Sequence, residues 1–216
     1  MMVDGFLSNF TVTHDFACQL YESCKKCPYV TQVSAMQSPE GFLQFQGYEG
    51  ASVRDICTAA KVYPTTLYSH FPSKEHVLAE IIRLGHMEHL QRLRAAMLEC
   101  GSDPAEQLAA IVRAHVLSHC DYPMLGIIVN SELHVLGDEL AAPIMAVRSE
   151  SETLLHDVMA RGVKTGVFAV DDPVLALRAI SSMGLRVPHW YDPETMQSPD
   201  QVADSFASYA LKIVMA

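Results

Sequence analysis

No apolar run in this sequence approaches the ~20 residues that a membrane-spanning helix needs; the strongest, such as Met124 to Val129, fall far short. Met1 to Phe16 lacks the basic start and following apolar stretch of a secretion signal. Six cysteines, at 18, 24, 27, 57, 100 and 120, are too few and too unevenly spaced for a disulfide framework in 216 residues. These absences predict a soluble protein of the reducing cytoplasm, with no membrane partner. Catalytic signatures are missing as well. There is no nucleophile elbow, phosphate loop or His-Glu-x-x-His pair, so an enzyme has little support and no cofactor is expected. Basic residues are scarce, 15 Lys and Arg against 25 Asp and Glu, for a net charge of -10. Taken alone, that shortage argues against nucleic acid, because phosphate neutralisation supplies most non-specific affinity for DNA.

What is present is a core. Half of the residues are apolar, enough for one or two domains and too many for a disordered chain. From about Ser52 onward, apolar residues recur at three and four, and Gly, Pro, Ser or Asp stand at the breaks. No comparable stretch alternates with period two, so the fold class is all-α. One long helix is predicted over Lys74 to Cys100, with Val77, Leu78, Ile81, Ile82, Met87, Leu90, Leu93 and Met97 as its inward stripe and Gly101 as its stop. Asp103 and Pro104 open the next, whose apolar face includes Leu108, Ile111, Val112, His115 and Val116. Further helices are predicted near Met124 to Leu136, Ala142 to Thr165, Asp172 to Tyr191 and Ser198 to Val214. The last begins with a serine cap, a first-turn proline and Gln201 three residues on.

The stretch from Gly47 to Leu78 carries the chemistry. A helix over Ser52 to Ala60 buries Val53, Ile56, Cys57 and Ala60, and turns Arg54 and Asp55 outward. After a tight connection at Lys61, Val62 and Tyr63, Pro64 starts a second short helix, Thr65 to Phe71. Leu67 points inward, while Thr65, Thr66, Tyr68, Ser69 and His70 offer hydroxyls, a phenol and an imidazole outward. Two short helices joined this closely make a helix-turn-helix, and such groups hydrogen-bond phosphate oxygens and base edges.

These residues resemble the tetracycline-repressor (TetR) family of bacterial transcription regulators. The matching pattern is Gly47-Tyr48, then Ser52-Val53-Arg54-Asp55-Ile56, Thr66-Leu67-Tyr68, His70-Phe71 and Ser73-Lys74-Glu75. The resemblance implies an N-terminal helix-turn-helix DNA-binding domain and a C-terminal helical domain for effector binding and dimerisation. It implies a repressor that binds a palindromic double-stranded operator as a homodimer and is released by a small hydrophobic or acyl-type effector. Position by position, it makes Thr65, Thr66, Tyr68, Ser69, His70 and Lys74 DNA contacts. Tyr68, His70 and Lys74 would grip phosphates, whereas Pro64, Thr65 and Ser69 lie where relatives touch bases. Met183, Leu185, Val187, Trp190 and Tyr191 would form the core of the dimer interface, with an internal core as the plainer alternative.

Three departures stand out. Lys61 occupies the inter-helix position that is commonly glycine, and Tyr63 replaces a small capping residue. In place of a regular first helix, Met36 to Gln46 contains Ser38-Pro39-Glu40-Gly41, with Phe42, Leu43 and Phe45 as a remnant able to supply core contacts. The expected division is therefore an atypical extension over 1–40, a DNA-binding domain over 41–94 and an effector and dimer domain over 95–216. The alternative is a small-molecule-binding protein whose DNA binding is weakened or lost through the irregular first helix.

Other constellations read more plainly. His14, Cys18, Cys24 and Cys27 include one CxxC, but the second half of a zinc site is absent, so ordinary cysteines are expected and no metal. His115 and His119, beside Cys120 and Asp121, read as pocket-wall or surface histidines more readily than as metal ligands, and His86 and His89 are discounted likewise. Met124, Met145, Met159 and Met183 can line an adaptable apolar cavity or simply pack a core. Divided along the chain, the charge is -2 over 1–46, +1 over 47–94 and -9 over 95–216. The acidity thus sits in the domain that has no need to approach phosphate, and the near-neutral head predicts modest, salt-sensitive affinity.

Overall fold

The computed structural model describes residues 47–50, 52–54, 57, 63–194 and 196–215. The extension over 1–40, the set His14, Cys18, Cys24 and Cys27, the remnant Phe42, Leu43 and Phe45, and Asp55, Ile56, Ala60, Lys61 and Val62 lie outside these residues.

Every regular element among the described residues is helical, as the apolar periodicity requires. The helices are α1 (Gly47–Gly50), α2 (Pro64–His70), α3 (Lys74–Leu98), α4 (Pro104–Asp121), α5 (Pro123–Ser131), α6 (Asp138–Thr165), α7 (Pro173–Leu185) and α8 (Pro199–Val214). Val53, Arg54 and Cys57 are also helical. Short 3-10 turns, Glu132–Val135 and Val187–His189, follow α5 and α7. No helix among the described residues is long and apolar enough to cross a membrane.

Local chemistry sets the boundaries. Asp103 accepts the Ala105 N–H at 2.7 Å ahead of Pro104, and Ser198 and Gln201 form a reciprocal capping box ahead of Pro199. Gly166 ends α6 in the left-handed conformation, φ 74°, that costs glycine little.

Three helices differ from expectation, and the first, α5, ends at Ser131 rather than Leu136 and gives way to the 3-10 turn Glu132–Val135. Helix α6 starts at Asp138 rather than Ala142, because Pro143 so near the start forfeits only the bond to the Glu139 carbonyl. Helix α7 stops at Leu185 rather than reaching Tyr191. Pro188 can donate no hydrogen bond to the Gly184 carbonyl and disfavours helical backbone at Val187, so the chain tightens into a 3-10 turn.

Two apolar cores share α3. Its first half, Val77 to Leu84, packs with Cys57, Leu67 and Phe71 of the head and also with Leu125, Val129, Leu136 and Ile144 from α5 to α6. Leu93 joins a second core with Leu108, Ile111, Val112 and Val116 of α4, Val158 and Met159 of α6, Leu177 and Ile180 of α7, and the small stripe Ala203, Ala207 and Ala210 of α8. The expected border at residues 94 and 95 falls inside α3, which runs unbroken across it.

Candidate functional site

Helix α2 rests on a single buried side chain. Leu67 is 0 % exposed, which turns Pro64, Thr65, Thr66, Tyr68 and Ser69 to solvent and leaves His70 half-buried. Tyr63 makes no capping bond through its side chain; its carbonyl instead accepts the Thr66 and Leu67 N–H groups at 3.0 and 3.1 Å. The Ser69 hydroxyl donates to the Thr66 carbonyl at 2.7 Å. Lys74, at the first position of α3, donates to the Tyr48 carbonyl, and its Nζ sits 3.9 Å from the Tyr48 ring centroid. An ammonium has three donors, so this bond leaves capacity for a phosphate. Ser73 caps the same helix by accepting the His76 N–H at 3.3 Å.

A cavity of about 140 Å³ opens where α3, α4, α5, α6 and α7 meet. Leu93, Ile111, Leu125, Leu155 and Leu185 form its apolar wall, and His86, His89, His115 and His119 its polar part. The last three histidines pack edge to face, with ring centroids 4.7 to 5.9 Å apart. Charges are paired within the lining. Arg92 bonds Asp121 at 2.7 Å and Glu88 at 3.1 Å, and Arg148 lies 3.7 Å from Glu152.

Burial in this protein-lined space disfavours charge on every one of these rings. Desolvation, with a smaller contribution from the Arg148 cation, lowers His86 to about 4. His115 is lowered to about 3 by desolvation and by His119. His89 falls well below its ordinary value and His119 is lowered too, again chiefly by burial. All four are neutral near pH 7.

Two glycines make the histidine cluster possible. A Cβ on Gly184 would overlap the His115 ring, and one on Gly126 would press on His119 at 3.1 Å. The sequence pattern places His115 and His119 on a pocket wall or the surface and sets His86 and His89 aside with them. The spacing within each pair is visible there; that α3 and α4 turn the pairs toward each other is not. The methionines do not line this cavity: Met145 is exposed, while Met159 and Met183 belong to the second core. The side chain of Met124 lies outside what is described.

The residues expected at a subunit interface separate into two groups. Val187 and Tyr191 are 0 % and 1 % exposed within the chain itself, so they have no surface left for a partner. The turn forced by Pro188 swings them inward, where the Tyr191 hydroxyl donates to the Gln197 carbonyl at 3.2 Å. Met183 and Leu185 are half-buried, and Leu185 faces the cavity. Trp190 is exposed and stacks on Phe206 of α8, ring centroids 6.0 Å apart.

Known proteins share this arrangement. The model of the tetracyclin repressor-like C-terminal domain matches residues 101–214, and that of bacterial regulatory proteins of the tetR family matches residues 43–81. The HTH-type transcriptional repressor KstR2 of Rhodococcus jostii (strain RHA1) is 29 % identical over 168 residues, which cover 77 % of this chain and 82 % of that protein. The crystal structure of PfmR, a TetR family transcriptional regulator from Thermus thermophilus, superposes with a TM-score of 0.70 at 28 % identity over 82 % of this chain and 97 % of that one. AibR, crystallised with isovaleryl coenzyme A and operator DNA, superposes with a TM-score of 0.71 at 21 % identity over 88 % and 97 % of the two chains. The C-terminal match alone spans more than half of the chain. With family matches at both its N-terminal head and its helical, cavity-bearing body, this chain belongs to the tetR family of bacterial regulatory proteins, DNA-binding transcription regulators.

Proposed function

We propose that this chain is a cytoplasmic repressor that holds a palindromic operator as a homodimer and lets go when a small hydrophobic or acyl-type effector enters the cavity. Within it, the head and the first half of α3 read the DNA, while the second half of α3, from Gly85, joins 95–216 in binding the effector, and 95–216 holds the second subunit. Pro64, Thr65 and Ser69 meet bases, Tyr68, His70 and Lys74 hold the backbone, and Thr66 is a further DNA contact. The interface runs along the exposed apolar residues of α7, of α8 and of the segment between them, with Trp190, Tyr209 and Ile213 at its centre.

One observation carries the reading: the elements that wall the cavity are the same ones that hold the head. In α3, Val77 to Leu84 grip the core under Leu67, and His86, His89 and Leu93 on the following turns line the cavity. In α5, Leu125 and Val129 belong to both. The Glu75 carboxylate, in the first turn of α3, accepts the Gly137 N–H at 2.9 Å and ties the head end of that helix to the start of α6. A ligand that fits the cavity better at one tilt of α3 and α5 thereby favours one spacing of the two heads, and only one spacing suits successive major grooves. AibR, crystallised with an acyl coenzyme A and operator DNA, supports an acyl-type effector by likeness of fold.

The test is a mobility shift of the intergenic DNA beside the gene, with the purified chain and with Tyr68→Ala and Lys74→Ala, each with and without isovaleryl coenzyme A as first probe and a series of acyl thioesters after it. The expected results are a shift, its weakening in both variants, and its reversal by an effector. Equal binding by both variants removes the assignment of the DNA face, and a shift that no acyl thioester reverses removes the effector class.

A further inference from the structure

The cavity's histidines have a hydrogen pattern set by the backbone. A carbonyl can only accept, so a ring nitrogen bonded to one carries the hydrogen. On that ground His115 Nε2–H donates to the Ser181 carbonyl at 3.2 Å, His119 Nδ1–H to the His115 carbonyl at 2.8 Å, and His86 Nε2–H to the Val129 carbonyl at 3.2 Å. In a neutral imidazole the second nitrogen is then an acceptor. His115 Nδ1 therefore receives the hydrogen of His89 Nε2, 3.3 Å away. That donation leaves His89 Nδ1 without a hydrogen.

The second nitrogens of His86, His89 and His119 are thus all acceptors. Among the described residues no donor is bonded to His89 Nδ1, His119 Nε2 or His86 Nδ1. No side-chain nitrogen or oxygen there is sealed away without a partner, so these nitrogens open to the cavity that their rings line. Neighbouring donors are bonded elsewhere and not to these rings. Ser118 and Asn130 donate to the Ala114 and Gly126 carbonyls at 2.8 and 2.7 Å, and Arg92 is held by Glu88 and Asp121. Among the described residues no group of three or more His, Cys, Asp or Glu is arranged to hold a metal ion.

We propose that the effector carries a hydrogen-bond donor, a hydroxyl or an amide N–H, which it gives to His89 Nδ1 and His119 Nε2 while its apolar body lies against Leu93, Ile111 and Leu125. The proposal rests on the effector-cavity reading above and adds the chemistry of the recognised group; a hydroxylated acyl chain satisfies both. An ionised carboxylate has no hydrogen to give these rings.

Phenol, anisole and benzoate are suitable probes, because a cavity of this size holds a single aromatic ring. Calorimetric titration of the full chain at pH 7.5 is expected to find phenol bound about tenfold or more tightly than anisole or benzoate, the difference one well-placed hydrogen bond makes. In His119→Phe the preference for phenol over anisole should shrink. Histidine nitrogen NMR of the unmodified protein provides a readout that needs no variant, with the hydrogen expected on Nδ1 of His119 and on Nε2 of His86, His89 and His115. Anisole or benzoate binding as tightly as phenol, no probe binding at all, or the opposite tautomer at His89 overturns the proposal. None of these measurements involves DNA, so a failure of operator release is read separately from a failure here.

Discussion

The ring of His115 lies directly against the backbone of Gly184, so close that a Cβ on the glycine would fall well inside 3.0 Å of it. One turn earlier on α7, the Ser181 carbonyl receives the hydrogen of the same ring. Helix α4 thus docks on α7 through an imidazole seated where a side chain has been left out. Gly184→Ala should push the ring from both of its hydrogen bonds and destabilise the protein by about 1–3 kcal/mol, the usual cost of overpacking. In a His115→Ala background the same change should cost much less. Urea denaturation of the two single variants and the double variant measures this coupling, and strictly additive losses would refute it.

Acid should weaken the protein through the same cluster. His86 is lowered to about 4 and His115 to about 3, and His89 and His119 are lowered as well. In the unfolded chain each histidine takes up its proton near pH 6.5, before the folded one does. Since the unfolded state then binds more protons, the stability is present in full above about pH 6.5 and declines as the pH falls toward 4 and then 3. The loss should amount to at least a few kcal/mol. Urea midpoints at pH 7.5, 6 and 5 should fall in that order; a flat profile would show that the rings are not held neutral.

Buried and exposed positions of α2 should respond in opposite ways. Leu67→Ala removes the one fully buried side chain that seats the helix, at a cost of about 2–5 kcal/mol in the head. Thr65→Ala and Ser69→Ala should leave stability within about 0.5 kcal/mol and alter which operator sequences are preferred. Thermal denaturation combined with binding to a randomised set of operators separates the two effects.

Lys74 should act on phosphate and not on sequence. Its replacement by Gln is expected to weaken binding evenly across operators and to lower the salt dependence of affinity by about one unit of slope. Because Lys74 also donates to the Tyr48 carbonyl, a modest loss of head stability should accompany the change. Affinities measured over a range of salt test the first part, and an unchanged slope would leave Lys74 a structural role only.

Trp190 and Val187 should part company. Trp190→Glu places a charge on an exposed apolar strip and should dissociate the dimer with little loss of fold, whereas Val187→Ala opens the core at a cost on the order of 2 kcal/mol and leaves assembly intact. Sedimentation of both variants decides whether the strip is the interface.

Much of this molecule was legible one residue at a time. The period of three and four from Val77 to Leu93 specified α3, and Asp103-Pro104 and Ser198-Pro199 marked helix starts, because capping and proline geometry act within a single turn. The outward face of α2 followed from Leu67 being its one inward residue. Pro143 and Pro188 were visible too, yet their effects depended on context: near the start of α6 a missing N–H costs one bond, while at the end of α7 it combines with the restriction on Val187 to end the helix.

By itself, then, the sequence determined the helices, the outward face of α2 and the uneven charge, all of which arise from local backbone preference and short-range spacing. The tertiary structure alone decided that His86 and His89 meet His115 and His119 around one cavity, and that Val187 and Tyr191 belong to the core. Residues up to 105 positions apart, from His86 to Tyr191, are set beside or away from one another only by how α3, α4 and α7 pack. That packing follows from burying several apolar faces at once, and no single helix carries its outcome.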